Sequence, residues 1–276
     1  MTMKLNLAQK ICTAFFVLIT IFWSWIHLSG LTSGFYNYLY SFLFGLVPFF
    51  GGILAMNTSR VWGGFMSSMG KAVFFIGLGI FLWGLGENIW SYYNFFLGVA
   101  APYPSLADLG FAPSIFFYGL GIAYLAKVTG AKFGLQNPLA KWLVILAMIG
   151  VTILSYYILV VVARGGVIVP AGEPLLKAIL DIAYPLGDFI GLSLAVIISG
   201  LSFSYLGGRY KFDILALLFG LAVMFVGDSV FSYSTIVNTY YNANFGDLIL
   251  ALGMFLLTFG AIGFTLPGVG DYKSRI

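Results

Sequence analysis

The stretch GENIWSYYNFFLGVAAPYPSLADLGFAPSIFFYG, Gly86 to Gly119, decides how this 276-residue chain is read. It places an acid, Glu87, inside an apolar helical run, turns through the corner Pro102–Pro104, and opens a second apolar run with Asp108. The chain as a whole is 61% hydrophobic and 8% charged. A soluble domain of this length with that composition would aggregate, so the expectation is an all-α, polytopic membrane bundle.

Working outward from this hairpin, eight apolar runs predict eight transmembrane helices, all in one integral membrane domain spanning residues 1–276. They cover about Ile11–Leu28, Tyr36–Met56, Ala72–Leu97, Leu106–Val128, Trp142–Ala163, Ala178–Leu206, Ile214–Tyr240 and Gly246–Leu266. Each is long enough to cross a hydrocarbon layer of about 30 Å at about 1.5 Å per residue. The first run has no small-residue cleavage site after it and is read as a retained span rather than a cleaved signal.

Charge then sets the orientation. Lys4, Lys10, Arg60, Lys71, Lys127, Lys132, Lys141, Arg209, Lys211, Lys273 and Arg275 fall on the face that carries both termini. Only Arg164 and Lys177 fall on the other. The positive-inside rule therefore predicts a multi-pass protein of the cell (cytoplasmic) membrane with both termini in the cytoplasm. The acids are distributed the opposite way. Asp213 and Asp271 lie on the basic face, whereas Glu87, Asp108, Glu173, Asp181, Asp188, Asp228 and Asp247 lie in the outer half or the outer connections. Glu87 is expected ~22 Å up its helix from Ala72.

The third and seventh runs align at a constant offset of 141: Gly79 with Gly220, Gly86 with Gly227, Glu87 with Asp228, Ser91 with Ser232. The fourth and eighth align at 139, Asp108 with Asp247 and Gly121 with Gly260. Both copies run the same way, so the expectation is a parallel hairpin repeat, helices 3–4 and 7–8, over about 72–128 and 214–266. Residues four apart share a helical face, which makes Glu87–Ser91 and Asp228–Ser232 equivalent polar stripes.

Pro102-Tyr103-Pro104-Ser105-Leu106-Ala107-Asp108 is similar to the Pro-Phe-Pro-Ser-x-Ala-Asp element of multi-pass membrane sensor regions. Those regions precede the catalytic domain of certain bacterial diguanylate cyclases and related signalling proteins. The resemblance extends to the acid before Trp90, to Asp181-Ile-Ala-Tyr-Pro-Leu-Gly-Asp188 and to the acid-rich last hairpin, over roughly Ala72 to Leu266. It implies a sensor role. No cyclase or other output domain is present in these residues, so the resemblance also implies a separate cytoplasmic signalling partner.

A carboxylate at mid-bilayer costs about 2.5–3.5 kcal/mol on insertion scales. The outer acids therefore need protonation, hydrogen bonds from Ser, Asn and Tyr, or a bound cation. The candidate ligand-binding residues are Glu87, Asn88, Ser91, Asp108, Asp181, Tyr184, Asp188, Asp228, Ser232 and Asp247. They are expected to form an outward-facing acidic funnel, with Asp108, Asp181 and Asp247 at the mouth and Glu87, Asp188 and Asp228 below. The competing reading is structural: neutral acids that fix helix packing, with Asp108 and Asp247 capping helix N-termini. Rings near the acids, Trp90, Tyr92, Tyr93, Tyr103, Tyr184, Phe231 and Tyr233, suit either a cage for an organic cation or the interfacial aromatic belt. Oxygen-only ligands also suit a hard cation such as calcium.

The leading expectation is a non-enzymatic receptor or sensor module binding a cation or small cationic ligand, with no resident cofactor and no catalytic residue assigned. The alternatives are a proton- or cation-coupled transporter or channel, and an intramembrane hydrolase using paired carboxylates. Tyr184-Pro-Leu-Gly-Asp188 and Gly84-Leu-Gly-Glu87 match the acid motifs of intramembrane aspartyl proteases only in part. One cysteine, Cys12, excludes an intramolecular disulfide, and one histidine, His27, excludes a histidine metal cluster. The lipid bilayer is an expected partner; nucleic acid is not.

Overall fold

The computed structural model describes residues 5–129, 138–162, 164–167, 172, 174–202 and 210–265. Among them there is helix and no strand. The long helices are α1 (Leu7–Leu28), α2 (Phe35–Ser59), α3 (Ser68–Phe95), α4 (Asp108–Val128), α5 (Pro138–Tyr156), α6 (Leu175–Ser202), α7 (Lys211–Ile236) and α8 (Phe245–Gly263). Six of these, α1 to α4 together with α7 and α8, are long and apolar enough to cross a membrane. A wider-wound π segment, Tyr157–Val162, continues α5.

Local chemistry sets the helix starts. Asn6 and Gln9 form a reciprocal capping box at α1, Ser67 accepts the Gly70 N–H at α3, and Asn244 accepts the Asp247 N–H at α8. Each side chain satisfies a backbone donor that has no partner inside the helix. One end differs from the sequence expectation. The seventh run was expected to continue to Tyr240, but α7 stops at Ile236, and Asn238 and Ala243 adopt φ of 57° and 66°. Apolar composition could not reveal this end, because the turn is held by bonds from remote helices described below.

Six helices form a closed ring in the order α2, α3, α4, α6, α7, α8 and back to α2. α1 lies outside on the seam of α2 and α8, and α5 lies outside on α6. The core of the ring is built from fully buried Ile76, Ile80, Ile122, Leu125, Leu217, Met254 and Leu257. The outward faces carry exposed Leu18, Phe50, Phe116, Leu146 and Phe219, which water would oppose and lipid accepts.

Glycine sets the closeness of the ring. A Cβ on Gly110 of α4 would stand 2.5 Å from the Gly86 nitrogen and the Leu82 oxygen of α3. One on Gly77 of α3 would stand 2.8 Å from the Met56 nitrogen of α2. Apolar side chains gain nothing by leaving lipid for one another, so such backbone approach is a main source of helix association in a bilayer. The same kind of contact recurs in both hairpins. Gly79 abuts Ser114 and Tyr118, as Gly220 abuts Gly253 and Leu257; Gly121 abuts Ala72 and Ile76, as Gly260 abuts Asp213 and Leu217.

Two glycines of α4 provide a matched test. Gly110→Ala is expected to destabilise the detergent-solubilised protein by about 1–3 kcal/mol through overpacking. Gly119→Ala, whose new Cβ meets nothing within 4 Å, is expected to leave stability equal or raised by up to about 1 kcal/mol. Thermal unfolding of the two variants checks both.

Candidate functional site

At the end of the bundle opposite Asn6, the ring encloses a cavity of about 740 Å³. Its wall draws on α2, α3, α4, α6, α7 and α8 and on the loops between them. Glu87, Asp108, Asp228, Asp247, Tyr184 and Ser232 of the expected set all line it. Ile115, Leu192, Leu221, Met224 and Leu250 supply an apolar portion.

The two helix-entrance acids are already in use. One oxygen of Asp108 accepts the Ser105 backbone N–H at 2.6 Å, and the other accepts the Tyr184 hydroxyl at 2.5 Å. The first bond closes the loop onto α4, and the second ties α4 to α6. Asp247 repeats the plan at α8: one of its oxygens accepts the Ala243 N–H at 2.7 Å and the Tyr240 hydroxyl at 3.4 Å. Both acids thus act as helix-end acceptors. Tyr240 lies in the α7–α8 loop, where burial first, and then Asp247 and Glu87, push its phenol well above the usual range. It stays a proton donor.

That loop is pinned from three directions. Trp23 of α1 donates to the Ala243 carbonyl at 2.9 Å, Asn37 of α2 to the Asn242 carbonyl at 2.9 Å, and Trp90 of α3 to the Asn242 side chain at 3.2 Å. Tyr240, Tyr241 and Asn242 of this loop therefore line the cavity, with the loop held against three helices. Composition pointed at none of Trp23, Asn37 or Asn242; the one available signal was the turn-forming pattern Asn242-Ala-Asn244 before an apolar run.

Glu87 differs from the entrance acids. It sits eight residues before the end of α3, ~12 Å along the axis, and is 8% exposed. Its side chain packs on α2 where Gly45 leaves room; a Cβ there would stand 2.8 Å from the Glu87 Cγ. Asp247 lies within electrostatic range, yet among the described residues no hydrogen bond reaches the Glu87 carboxyl. Mid-helix position explains this, since every nearby backbone N–H is taken by the helix itself.

Other expected residues go elsewhere. Asn88 donates to the Gly84 carbonyl at 2.7 Å and to the Gly45 carbonyl of α2 at 3.4 Å, so its amide joins α3 to α2 and is absent from the cavity wall. Ser91 is also absent from the wall; it is 1% exposed, and its Oγ has no hydrogen-bond partner. The backbone positions of Asp181 and Asp188 fall in α6, but their side chains lie outside the described residues. Nor is the wall purely acidic: Arg164 and Lys177 contribute to it, with Lys177 6.0 Å from the Tyr103 ring. Among the described residues no group of three or more His, Cys, Asp or Glu could hold a metal ion.

Comparison with known protein families, with curated proteins and with solved structures finds no match to this chain. The site's chemistry therefore has to be argued from its geometry.

The tyrosine bonds are directly testable. Tyr184→Phe deletes the α4–α6 tie and is expected to lower unfolding stability by about 1–3 kcal/mol, the range for a hydrogen bond to a carboxyl group. Tyr240→Phe, losing a longer bond, is expected to cost less. Thermal unfolding of the two variants measures both.

Proposed function

We propose that the chain is an eight-span integral membrane protein with both termini in the cytoplasm, working as a receptor or sensor module. It binds a cation or small cationic ligand from outside, in the cavity lined by Glu87, Asp228 and Asp247. Binding is read at the cytoplasmic ends by a separate signalling partner. The observation that carries the reading is Glu87: a buried carboxyl in the wall of a ligand-sized cavity, with no hydrogen-bond partner among the described residues. A buried acid in that state favours an incoming positive charge.

Three further features support it. The excess of basic residues in the connections on the terminus-bearing side supports an outward-facing cavity by the positive-inside rule. The matched glycine contacts of α3–α4 and α7–α8 support a parallel hairpin repeat. So does the parallel treatment of Asp108 and Asp247, each accepting a tyrosine hydroxyl and a backbone N–H from its own preceding loop.

Transport is the weaker reading because the cavity ends on packed apolar side chains. Beneath its apolar portion the ring is filled by Ile76, Ile80, Ile122, Leu217 and Leu257, each at most 1% exposed. These five side chains offer no polar step towards the termini.

Glu87→Gln separates the readings. In purified protein, cations that raise the unfolding temperature of the native chain are expected to lose that effect in Glu87→Gln, with no cation flux from liposomes containing either form. Flux that depends on Glu87 would overturn the sensor reading in favour of a transporter.

A further inference from the structure

Resting on the cation-site reading above, we infer that the ligand drawn to Glu87 is an organic ammonium ion, a nitrogen cation bearing carbon substituents. The wall around Glu87 has three properties that together suit this class.

The first is the unanswered carboxyl. Glu87 is more than nine-tenths buried, lines the cavity, and receives no hydrogen bond among the described residues. The Tyr240 hydroxyl, in electrostatic range of it on the same wall, is committed to Asn242 at 3.2 Å and to Asp247. An ammonium nitrogen supplies the missing charge, with or without an N–H.

The second is aromatic flanking. Trp83 and Trp90 stand one helical turn to either side of Glu87 on α3, and both line the cavity. Phe231 and Tyr240 pack against Trp90, with centroids 6.1 and 6.2 Å away, and Phe111 packs against Trp83 at 5.4 Å. These ring-to-ring contacts hold the two indoles in fixed positions. Tryptophan faces attract cations whose charge is spread over carbon substituents, and the attraction grows when water is excluded.

The third is size and lining. A volume of about 740 Å³ falls within the range of pockets that enclose drug-sized organic molecules. Ile115, Leu221, Met224 and Leu250 give the ligand's carbon body an apolar seat. A hard metal ion asks instead for about six to eight oxygen ligands, and the described residues offer no cluster of three or more ligating side chains. Arg164 and Lys177 carry positive charge in the same wall, from the segment after α5 and the first turn of α6.

The test uses the full chain in detergent, with tryptophan fluorescence reporting on Trp83 and Trp90. The probes are tetramethylammonium, tetrapropylammonium and benzyltrimethylammonium chlorides, with calcium and potassium chlorides and neutral benzyl alcohol as comparisons. Saturable quenching by at least one ammonium probe, weakened about ten-fold or more in Glu87→Gln, is expected, a change of about 1.4 kcal/mol. Glu87→Asp keeps the charge and is expected to retain binding; Trp90→Leu is expected to weaken it. Thermal unfolding of each variant confirms that it is folded.

Saturable calcium or potassium binding that needs Glu87, without any ammonium binding, would overturn the ammonium assignment while leaving the cation site standing. Benzyl alcohol binding as tightly as benzyltrimethylammonium, with no effect of Glu87→Gln, would overturn both. Absence of saturable binding by every ammonium probe up to its solubility also overturns the ammonium assignment.

Discussion

The bundle depends on a steric constraint: four glycines of α3 let its backbone come close to the helices on either side of it. Gly77 and Gly84 meet the backbone of α2, and Gly79 and Gly86 meet α4. Close backbone contact substitutes here for the hydrophobic drive that lipid surroundings remove. It also dictates where a larger side chain on α3 can go. Glu87 follows Gly86 directly and fits only because Gly45 of α2 yields its own Cβ volume. The packing that assembles the ring is thus the packing that fixes the acid in its wall.

Position along a helix then decides which acids are satisfied. Asp108 and Asp247 lie in first turns, where loop N–H groups are available, and each takes one together with a tyrosine hydroxyl. Glu87 lies where every backbone donor is already used by the α-helix, so only another element or a ligand can reach it. The neighbourhood reinforces this. The Tyr40 hydroxyl of α2 is fully buried, has no hydrogen-bond partner, and lies within electrostatic range of both Glu87 and Asp247. Polar groups without partners gather beside Glu87, whereas those at the helix entrances are paired.

Much of this was legible in the sequence, and the failures have physical causes. Long apolar runs marked each of the long helices among the described residues, six of which are long and apolar enough to cross a membrane, because in a bilayer length and hydropathy carry most of the structural information. Asp108 and Asp247 read either as caps or as cavity acids; each lines the cavity and accepts a loop N–H just before its helix, while the capping side chain of α8 is Asn244. The end of α7 was not legible. Val237, Tyr240 and Tyr241 look like continuing span, and what ends the helix includes bonds from Trp23 and Asn37, about 200 residues away in the chain. Asn88 was misleading for a local reason. One residue is about 100° on a helix, so the neighbour of a cavity-facing Glu87 turns towards α2, where Gly45 offers a carbonyl beside that of Gly84 on α3 itself. The mixed charge of the wall was missed because Arg164 and Lys177 were weighed as topology signals only.

The distribution of acids between the two hairpins has a consequence for how a ligand could act. Glu87, from the α3–α4 hairpin, is in electrostatic range of Asp247, from the α7–α8 hairpin. In the other direction Tyr184 of α6 bonds Asp108 of the first hairpin and is in range of Asp228 of the second. Each charge group therefore spans the boundary between hairpins instead of lying within one. A positive charge arriving at Glu87 changes the field at Asp247, which holds both the start of α8 and the Tyr240 loop. That loop is in turn bonded to α1, α2 and α3. Beneath the cavity the described residues of the two hairpins meet through close-packed side chains, which shift as rigid bodies more readily than they deform. Neutralising one carboxyl at this boundary is thus applied to a shared support, where it can alter the relation between the hairpins along their whole length.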